Sequence, residues 1–277
     1  MADGPSLDEL MAVAMARQIR DGDFISHGAS VPLAAAALML AKQLHAPNVD
    51  FFFQGTISPA ERDPAKLMLE LERIYASAPA FFSQAQIVDL ELRGGADFQF
   101  LRPAQIGRHG SVNTSLLGTL EQPRLRFHGI AVADVMTLVD RICLYTTEHS
   151  PRVFPARLDF RTGLGHEQGD AWRRNLGLPG EGPVAVVTPL GLLDFDGPER
   201  SLRLRRLLPG ATVEGVRAAT GFELAVAPDV RELEPPTDEE LATLRRLDPL
   251  ATRRLEFREW RAEVRARLAS ARRSPNP

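Results

Sequence analysis

The N-terminal part of the chain alternates between helical and extended hydrophobic patterns. Apolar side chains recur at helical spacing from Leu7 to Met15, and Ser6 and Glu9 form a capping box in front of them. The following segments predict a strand, a helix that begins with Pro32, and a second strand, at residues 24–27, 32–44 and 49–53. Because strands and helices alternate with short connections, the pattern predicts parallel strands with crossover helices. The predicted fold class is α/β, an open parallel-rich sheet with flanking helices.

The rest of the chain continues this pattern less regularly. Strands are predicted at residues 98–101, 125–127, 141–145, 184–187, 190–195, 202–207 and 222–226. Helices are predicted at residues 63–76, 212–219 and 237–247, and an arginine-rich helix from residue 253 onward. Frequent glycines between residues 163 and 182 predict a long loop with a short helix around Trp172. We assign residues 1–250 to one domain and residues 251–277 to a basic helical tail, a C-terminal helical extension.

Composition and charge narrow the class of protein. Hydrophobic residues make up 44% and charged residues 25% of the chain, and the formal net charge is -3, so we expect a globular protein that binds no nucleic acid. The longest apolar stretch, residues 31–40, is too short to span a bilayer, and no secretion signal opens the chain, so no membrane association is expected. The single cysteine, Cys143, excludes an intrachain disulfide and fits a cytoplasmic location.

Few residues form a catalytic or metal-binding motif by themselves. The chain has no phosphate-binding loop, no dinucleotide-binding glycine motif and no nucleophile elbow. Its six histidines lack the spacing of metal ligands, so we predict no metal and no bound cofactor. Asp194 and Asp196 flank an Asp–Gly turn, and Cys143 lies within an apolar strand, so we interpret all three as structural residues.

Several short segments together resemble one known protein family. Between Leu10 and about Pro249, four segments match the B-type chain of glutaconate CoA-transferase and its relatives in order and spacing: AMARQIRDG at residues 14–22, GSVN at 110–113, NLGLP at 175–179 and LLPGATV at 207–213. The chain thus resembles the class I CoA-transferase family. This resemblance implies that family's α/β fold, a coenzyme A thioester as the substrate, and an A-type subunit as the partner. It also implies a heterodimer or heterotetramer with the active site at the subunit interface.

The chain departs from the family at the main catalytic position that the resemblance implies. Transferases of this family use a glutamate of the B-type chain to attack the acyl-CoA, which gives a mixed anhydride and then an enzyme–CoA thioester. Gln54 occupies that position here. A glutamine amide is uncharged and a poor nucleophile, although it can donate and accept hydrogen bonds. We predict that Gln54 polarises a thioester carbonyl or holds a substrate carboxylate; the alternative is that it only caps a strand end.

A glycine-rich loop lies opposite the nucleophile in such transferases, where its backbone N–H groups stabilise the oxyanion. The corresponding residues here are 128–134, in which only Gly129 remains a glycine. We predict catalytic roles for Gly129, Ile130 and Ala131, with a plain strand-to-helix turn as the alternative. Gly55 is predicted to bind substrate beside Gln54, and Asn113 is predicted to bind substrate or to fix a loop.

The missing glutamate also changes the reaction that the resemblance implies. Some relatives without it hydrolyse a carbon–carbon bond of a ring-bearing acyl-CoA, and others decarboxylate an acyl-CoA. We therefore predict that this chain, with its partner, hydrolyses or decarboxylates an acyl-CoA. Two alternatives stay open: a true CoA-transferase for a dicarboxylate such as glutaconate, and a non-catalytic scaffold or acyl-CoA-binding subunit.

The basic tail has two interpretations. Its arginines, at positions 253, 254, 258, 261, 265, 267, 272 and 273, alternate with glutamates, which favours a solvated helix face. The alternative is that they contact the partner subunit or the phosphates of coenzyme A.

Overall fold

The computed structural model describes residues 4–28, 31–53, 55–59, 71–129, 132–167, 171–178 and 180–273. The chain forms two compact units: unit 1 contains residues 1–84 and 235–277, and unit 2 contains residues 85–234. The domain boundary expected at residue 250 stays a prediction.

The helices in the described part of the chain are α1 (Leu7–Ala16), α2 (Pro32–Leu44), α3 (Leu71–Ser77), α4 (Gln84–Leu92), α5 (Val132–Leu138), α6 (Trp172–Asn175), α7 (Val213–Ala218), α8 (Asp238–Leu247) and α9 (Arg261–Arg273). Short 3-10 turns occur at Pro198–Arg200 and Thr252–Glu256. Among these helices, none has the length and apolar character that a membrane crossing requires.

The strands in the same residues are β1 (Phe24–Ser26), β2 (Asp50–Phe53), β3 (Thr56–Ile57), β4 (Ala80–Phe81), β5 (Phe98–Leu101), β6 (Gln105–Ile106), β7 (Val112–Asn113), β8 (Leu116–Gly118), β9 (Pro123–Arg126), β10 (Arg141–Tyr145), β11 (Gly182–Thr188), β12 (Gly191–Asp194), β13 (Arg203–Leu207) and β14 (Ala225–Glu232).

Unit 1 combines short strands with buried helices. β1 and β2 pair in parallel, with Ile25 opposite Phe51, and β2, β3 and β4 then follow in antiparallel order. α1 begins at the expected capping box, in which the Ser6 N–H donates to the Glu9 carboxylate at 3.0 Å. α2 is buried along residues 32–41 because its small alanines allow close contact with α1, α8 and the 3-10 turn that follows α8.

Unit 2 holds a larger sheet with the strand order β14-β13-β12-β11-β10-β5. β5, β10 and β11 are parallel neighbours, β12 is antiparallel to β11 and β13, and β14 is parallel to β13. Its core is largely aliphatic and includes Ile142, Leu144 and Val186, each fully buried, beside Phe154. Cys143 is fully buried as well, and burial raises the pKa of its thiol, as expected of an inert cysteine.

The expected α/β fold with an open sheet is confirmed, and most expected strands and helices occur near their predicted bounds. The strand predicted at residues 222–226 is displaced, because β14 begins at Ala225 and ends at Glu232. The Gly221 N–H donates to the Phe154 carbonyl at 2.7 Å, which holds the chain before β14 against a segment outside the sheet. Asp194 and Asp196 both accept hydrogen bonds from Arg203, which fits their structural interpretation.

Arg253, the first arginine of the basic tail, is buried, and Arg254 is partly buried and paired rather than solvated. The Arg253 side chain is 3% exposed, and its guanidinium lies 2.7 Å from Asp8, 3.0 Å from Asp248 and 3.4 Å from Glu9. Arg254 donates to the second carboxylate oxygen of Asp8 at 3.0 Å. We call these five residues the Arg253 cluster. The prediction of a solvated face is wrong for Arg253 and Arg254, because the buried carboxylates that open α1 need cations.

Glu9 shows how strongly this cluster favours charged carboxylates. Burial alone would raise the pKa of Glu9, but hydrogen bonds from Arg245 and the Ser6 N–H, together with the charge of Arg253, lower it to about 2. Arg245 donates to Glu9 at 2.7 Å. The carboxylate is therefore ionised at any physiological pH.

The remainder of the tail divides into a second buried contact and an exposed helix. Glu256 is buried and accepts a hydrogen bond from the Leu33 N–H at 2.8 Å, so it satisfies a free donor in the first turn of α2. The helix predicted from residue 253 begins only at Arg261, as α9. Four arginines of the tail are exposed as predicted, at positions 258, 261, 265 and 267. The side chains at positions 272 and 273 lie outside the described part.

Candidate active site

The position predicted to be reactive lies in a tight hairpin between β2 and β3. Phe53 pairs with Thr56, so residue 54 and Gly55 form a two-residue connection. Gln54 itself lies outside the described residues, but both of its neighbours are described. Gly55 has φ +88, a conformation that favours glycine and is typical of short hairpin connections. The strand expected before Gln54 is present, since β2 ends at Phe53; the role of Gln54 stays a prediction.

Several hydrogen bonds fix the hairpin. The Thr56 hydroxyl donates to the Phe53 carbonyl at 2.7 Å, and the Phe82 N–H donates to the Gly55 carbonyl at 2.8 Å. A Cβ at position 55 would also lie 3.3 Å from the Phe82 carbonyl oxygen. These contacts explain why glycine is required at position 55. Its predicted contact with substrate stays a prediction.

An exposed pair of aromatic rings lies beside this hairpin. The rings of Tyr75 and Phe81 are stacked with centroids 5.6 Å apart and planes 14° apart, and the two residues are 45% and 57% exposed. We call them the Tyr75–Phe81 pair. The Tyr75 hydroxyl oxygen would lie 3.7 Å from a Cβ at Gly55, and Phe81 is the β4 partner of Thr56. The pair was not predicted from the sequence, because β3 and β4 are too short to show a strand period.

A buried histidine ends the neighbouring strand β1. The His27 N–H donates to the Phe52 carbonyl at 3.1 Å, and its ring centroid lies 5.3 Å from that of Phe53. The residue is 6% exposed, and its Nε2 has no hydrogen-bond partner. Burial lowers the pKa of His27 to about 4, so its imidazole is neutral at pH 7. The sequence offered one signal that His27 lies near the site: it directly follows β1, as position 54 directly follows β2.

The glycine-rich loop of the resemblance belongs to unit 2. A Cβ on Gly129 would lie 2.1 Å from the Thr114 carbonyl oxygen, so only glycine fits there. The Thr114 hydroxyl donates to the Gly129 carbonyl at 3.1 Å. Ile130 and Ala131 lie outside the described residues. The oxyanion-binding role of all three stays a prediction, and for Gly129 the contact with Thr114 is a sufficient structural reason for the glycine.

Asn113 is buried at the end of β7, and its amide is fully used there. Its Nδ2 donates to Gln105 at 2.8 Å and to the Leu116 carbonyl at 2.6 Å. Its Oδ1 accepts from the N–H groups of Ser115 at 3.1 Å and Leu116 at 3.3 Å. These bonds support the loop-fixing role. Substrate binding by Asn113 stays a prediction.

A second histidine of low pKa is structural. His149 lies between the hydroxyls of Thr188, 2.9 Å from Nδ1, and Thr220, 3.1 Å from Nε2. Both hydroxyls also donate to backbone carbonyls, Thr188 to Gly191 at 3.2 Å and Thr220 to Val216 at 2.8 Å. Burial lowers the pKa of His149 to about 4. The neutral ring thus ties β11 to the residues that follow α7.

Unit 2 also has a basic cavity of about 630 Å³. Arg108, Arg157 and Arg161 line it, and Arg161 is paired with Glu167 at 2.6 Å. Asp159 also lines it, so the lining arginines outnumber the lining carboxylates by one and leave a weakly positive surface. The cavity was not predicted from the sequence, since the arginines come from separate loops.

Comparisons with known proteins agree on one family. A family model described as coenzyme A transferase matches residues 9–219 of this chain. The B-type chain of 3-oxoadipate CoA-transferase from Pseudomonas knackmussii is 32% identical over 88% of this chain and 93% of that protein. The cholesterol ring-cleaving hydrolase IpdB subunit from Rhodococcus jostii is 36% identical over 54% of this chain and 58% of that protein.

Solved structures show the same fold. Glutaconate coenzyme A-transferase from Acidaminococcus fermentans has a TM-score of 0.77 and 27% identity, over 88% of this chain and 95% of that chain. The decarboxylase AibA/AibB has a TM-score of 0.77 and 24% identity, over 91% of this chain and 98% of that chain. The architecture of these structures therefore extends over most of this chain.

Proposed function

Because the chain belongs to the coenzyme A transferase family, as the B-type subunit of an enzyme, we propose that it cleaves a carbon–carbon bond of an acyl-CoA by hydrolysis or decarboxylation. It acts together with an A-type subunit, as a heterodimer or heterotetramer. The observation that carries this proposal is Gln54, which stands where transferases of the family have their nucleophilic glutamate. The family resemblance seen in the sequence is confirmed; the reaction is the proposal.

The described residues around position 54 offer no substitute nucleophile. Thr56 is fully buried, and its hydroxyl donates to the Phe53 carbonyl. The Ser58 hydroxyl, beyond β3, donates to the Asp50 carboxylate at 2.7 Å and accepts from the Phe51 N–H at 3.1 Å. Because the described residues of the hairpin itself, 53 and 55–57, include no carboxylate and no thiol, the covalent route through an enzyme–CoA thioester lacks its first step there.

A glutamine at this position is still suited to carbon–carbon cleavage. Its NH₂ can donate a hydrogen bond to the thioester carbonyl, where negative charge develops when a bond to the adjacent carbon breaks. The reaction also needs a group that activates water or accepts a proton. The buried His27, which follows the strand paired with β2, has its Nε2 covered, so we assign the base to the A-type subunit.

True CoA transfer is the second candidate, and the long match to the B-type chain of 3-oxoadipate CoA-transferase favours it. In that case the carboxylate substrate would have to exchange CoA without a protein nucleophile. A subunit that only supports a catalytic partner is the third candidate.

The test uses the chain co-purified with its A-type partner. The complex is incubated with acetyl-CoA and glutaconate, and the mass of this chain is measured for a covalent CoA adduct while CoA exchange is followed. We expect neither adduct nor exchange in the wild type, and both in Gln54→Glu. Gln122→Glu, at an exposed turn, is the matched control and should behave as the wild type.

Robust CoA exchange by the wild type would refute the proposal and favour true CoA transfer. A second measurement follows release of a cleaved acid from a 3-oxoacyl-CoA and release of CO₂ from glutaconyl-CoA, with Gln54→Ala beside the wild type. We expect at least a tenfold loss of turnover, the usual effect of removing a hydrogen bond that stabilises developing charge. Unchanged turnover in Gln54→Ala would favour the supporting role.

A further inference from the structure

We propose that Thr114 and Thr162 are positioning residues for the reaction: their hydroxyls hold the Gly129 backbone in the place where it stabilises the charge that develops on the thioester carbonyl. This inference rests on the proposed function and on the oxyanion-binding role predicted for Gly129. It adds two residues that act through Gly129 rather than on the substrate. All three residues belong to unit 2.

The Gly129 backbone rests directly on Thr114. A Cβ at position 129 would overlap the carbonyl oxygen, the hydroxyl and the Cβ of Thr114, so only a glycine can come this close. The Thr114 hydroxyl donates to the Gly129 carbonyl at 3.1 Å, and Thr114 is 8% exposed. A buried β-branched side chain has few rotamers, so its hydroxyl holds the carbonyl in one direction.

Thr162 holds Thr114 in turn. The Thr162 hydroxyl accepts a hydrogen bond from the Thr114 N–H at 3.0 Å, and it lies 2.7 Å from the Ser115 hydroxyl. The Thr162 main chain is fixed on β7, because its N–H donates to the Val112 carbonyl at 2.9 Å. We call Thr114, Ser115 and Thr162 the Gly129 brace. The brace ties Gly129 to a strand through side chains from two distant segments.

The helix that follows Gly129 is held by the same later part of the chain. Gly163 packs on α5, since a Cβ there would overlap the Met136 side chain. The buried Arg173 guanidinium donates to the carbonyls of Met136 at 2.8 Å and Gly180 at 3.0 Å. Gly129 and α5 are therefore both fixed by contacts with residues that come after them in the sequence.

Folding alone does not require the hydroxyl at position 114. Gly129 is only half-buried, so water could satisfy its carbonyl without a side-chain donor. A group that stabilises developing charge has a stricter requirement, because it must be in position before the charge appears. A misplacement of about 1 Å can lower a rate about a hundredfold. The brace meets this requirement because it fixes Gly129 by direct contact.

Removing the hydroxyl that contacts Gly129 should slow the reaction without weakening substrate binding. In the complex of this chain with its A-type partner, we expect Thr114→Val to lower kcat about tenfold and to leave KM within about twofold. Thr162→Val acts one contact further away and should lower kcat about threefold. Thr114→Ser and Thr162→Ser keep the hydroxyls and should each retain at least about half of the wild-type kcat.

A spectroscopic measurement reports on the thioester carbonyl itself. The probe is butyryl-CoA with a carbon-13 label at that carbonyl, which lacks the second carbonyl or carboxylate that cleavage needs. Its infrared carbonyl band is recorded free and bound to the complex, and hydrogen bonds to the carbonyl move the band to lower frequency. We expect this shift in the wild type, a smaller shift in Thr114→Val, and the full shift in Thr114→Ser. A general loss of stability would not move the band.

Thr137→Val is the matched control. The Thr137 hydroxyl donates to the Ala133 carbonyl at 2.8 Å within α5, so the same substitution removes a similar hydrogen bond that does not reach Gly129. This variant should keep the kcat and the band of the wild type.

Loss of both kcat and band shift in Thr114→Val, with rescue in Thr114→Ser, supports the inference. An unchanged kcat and band in Thr114→Val overturns it, as does a raised KM with unchanged kcat or an unshifted band in the wild type. If Thr114→Val fails to fold, Thr162→Val is measured in the same two ways; failure of both to fold makes the brace structural and overturns the inference. If the wild type exchanges CoA instead of cleaving its substrates, the proposed function fails, and the band comparison still decides whether the brace positions Gly129.

Discussion

Replacing Arg253 by methionine should destabilise unit 1 by about 3 kcal/mol. Arg253, Asp8 and Asp248 have side chains no more than 3% exposed, so solvent cannot replace the lost cation. Removing one partner of a buried ion pair costs about 3–5 kcal/mol, because the remaining charge is left buried. We expect the lower end, since Arg254 still contacts Asp8 and Arg245 still contacts Glu9.

Asp248 should bear most of this loss. Apart from Arg253, its carboxylate accepts hydrogen bonds from the N–H and hydroxyl of Thr252, at 2.7 and 2.8 Å. The contribution at Asp8 is smaller, because Nε of Arg253 and Oδ2 of Asp8 lie 2.7 Å apart without the alignment of a hydrogen bond. Arg253→Met removes the charge and keeps much of the side-chain volume, so packing loss is a minor part.

The assay is equilibrium unfolding in urea, followed by the fluorescence of Trp260. This indole lies in unit 1, 5.2 Å from the ring of Phe257, with the Arg254 guanidinium 4.9 Å over it. Because unit 2 contains the other tryptophan, a Trp172→Phe background makes the signal specific for unit 1.

Arg258→Met is the matched control, since that arginine is exposed and should cost less than about 0.5 kcal/mol. Equal costs for the two variants would refute the need for a buried cation. So would a cost below about 1 kcal/mol for Arg253→Met.

Three more predictions concern acid stability and a tight glycine. The pKa of Glu9 is about 2 in the folded protein and 4.5 ordinarily. Its contribution of about 3 kcal/mol to the free energy of unfolding is therefore present above pH 4.5 and is lost as the pH falls toward 2. Glu9→Gln should remove this pH dependence, as measured by urea unfolding. The pKa of His149 is lowered from 6.5 to about 4, so unit 2 should lose stability as the pH falls from 6.5 to 4. Unfolding followed by Trp172 fluorescence should show this loss, and His149→Gln should remove the pH dependence. Gly129→Ala should destabilise the protein by about 1–3 kcal/mol and lower turnover. The control is Gly28→Ala, whose Cβ would make only an ordinary contact at 3.6 Å with Val31 and which should change neither stability nor turnover. Equal thermal midpoints for the two variants would contradict this prediction.

Local structure could be predicted from the sequence wherever one segment carries its own signal. The capping box at Ser6, the proline that opens α2, and the Thr237 cap of α8, which accepts from the Glu240 N–H, are all contained within a few residues. The end of β2 could also be predicted, because three consecutive phenylalanines form the strand and a glycine follows at position 55.

Contacts between distant segments could not be predicted in this way. Arg253 and Glu9 are 244 positions apart, and nothing in the local spacing of either residue indicates the other. The alternation of arginine and glutamate in the tail favours a solvated helix, but that pattern cannot show that carboxylates elsewhere are buried without partners. The Tyr75–Phe81 pair was missed for the same reason, since its stacking depends on the β3–β4 ladder.

Unit 1 is built from two separate parts of the chain, so it can be completed only late in synthesis. Residues 85–234 leave the ribosome as one continuous stretch, whereas α1 and α2 must wait for residues 235–273 before unit 1 is complete. At about 5–20 residues per second this interval is on the order of ten seconds or more. Until then the apolar surface of α2 lacks its cover from the 3-10 turn, and the Leu33 N–H lacks Glu256. The nascent chain therefore exposes the apolar surface of α2 during elongation, and any product released before residue 256 carries that helix without its full cover.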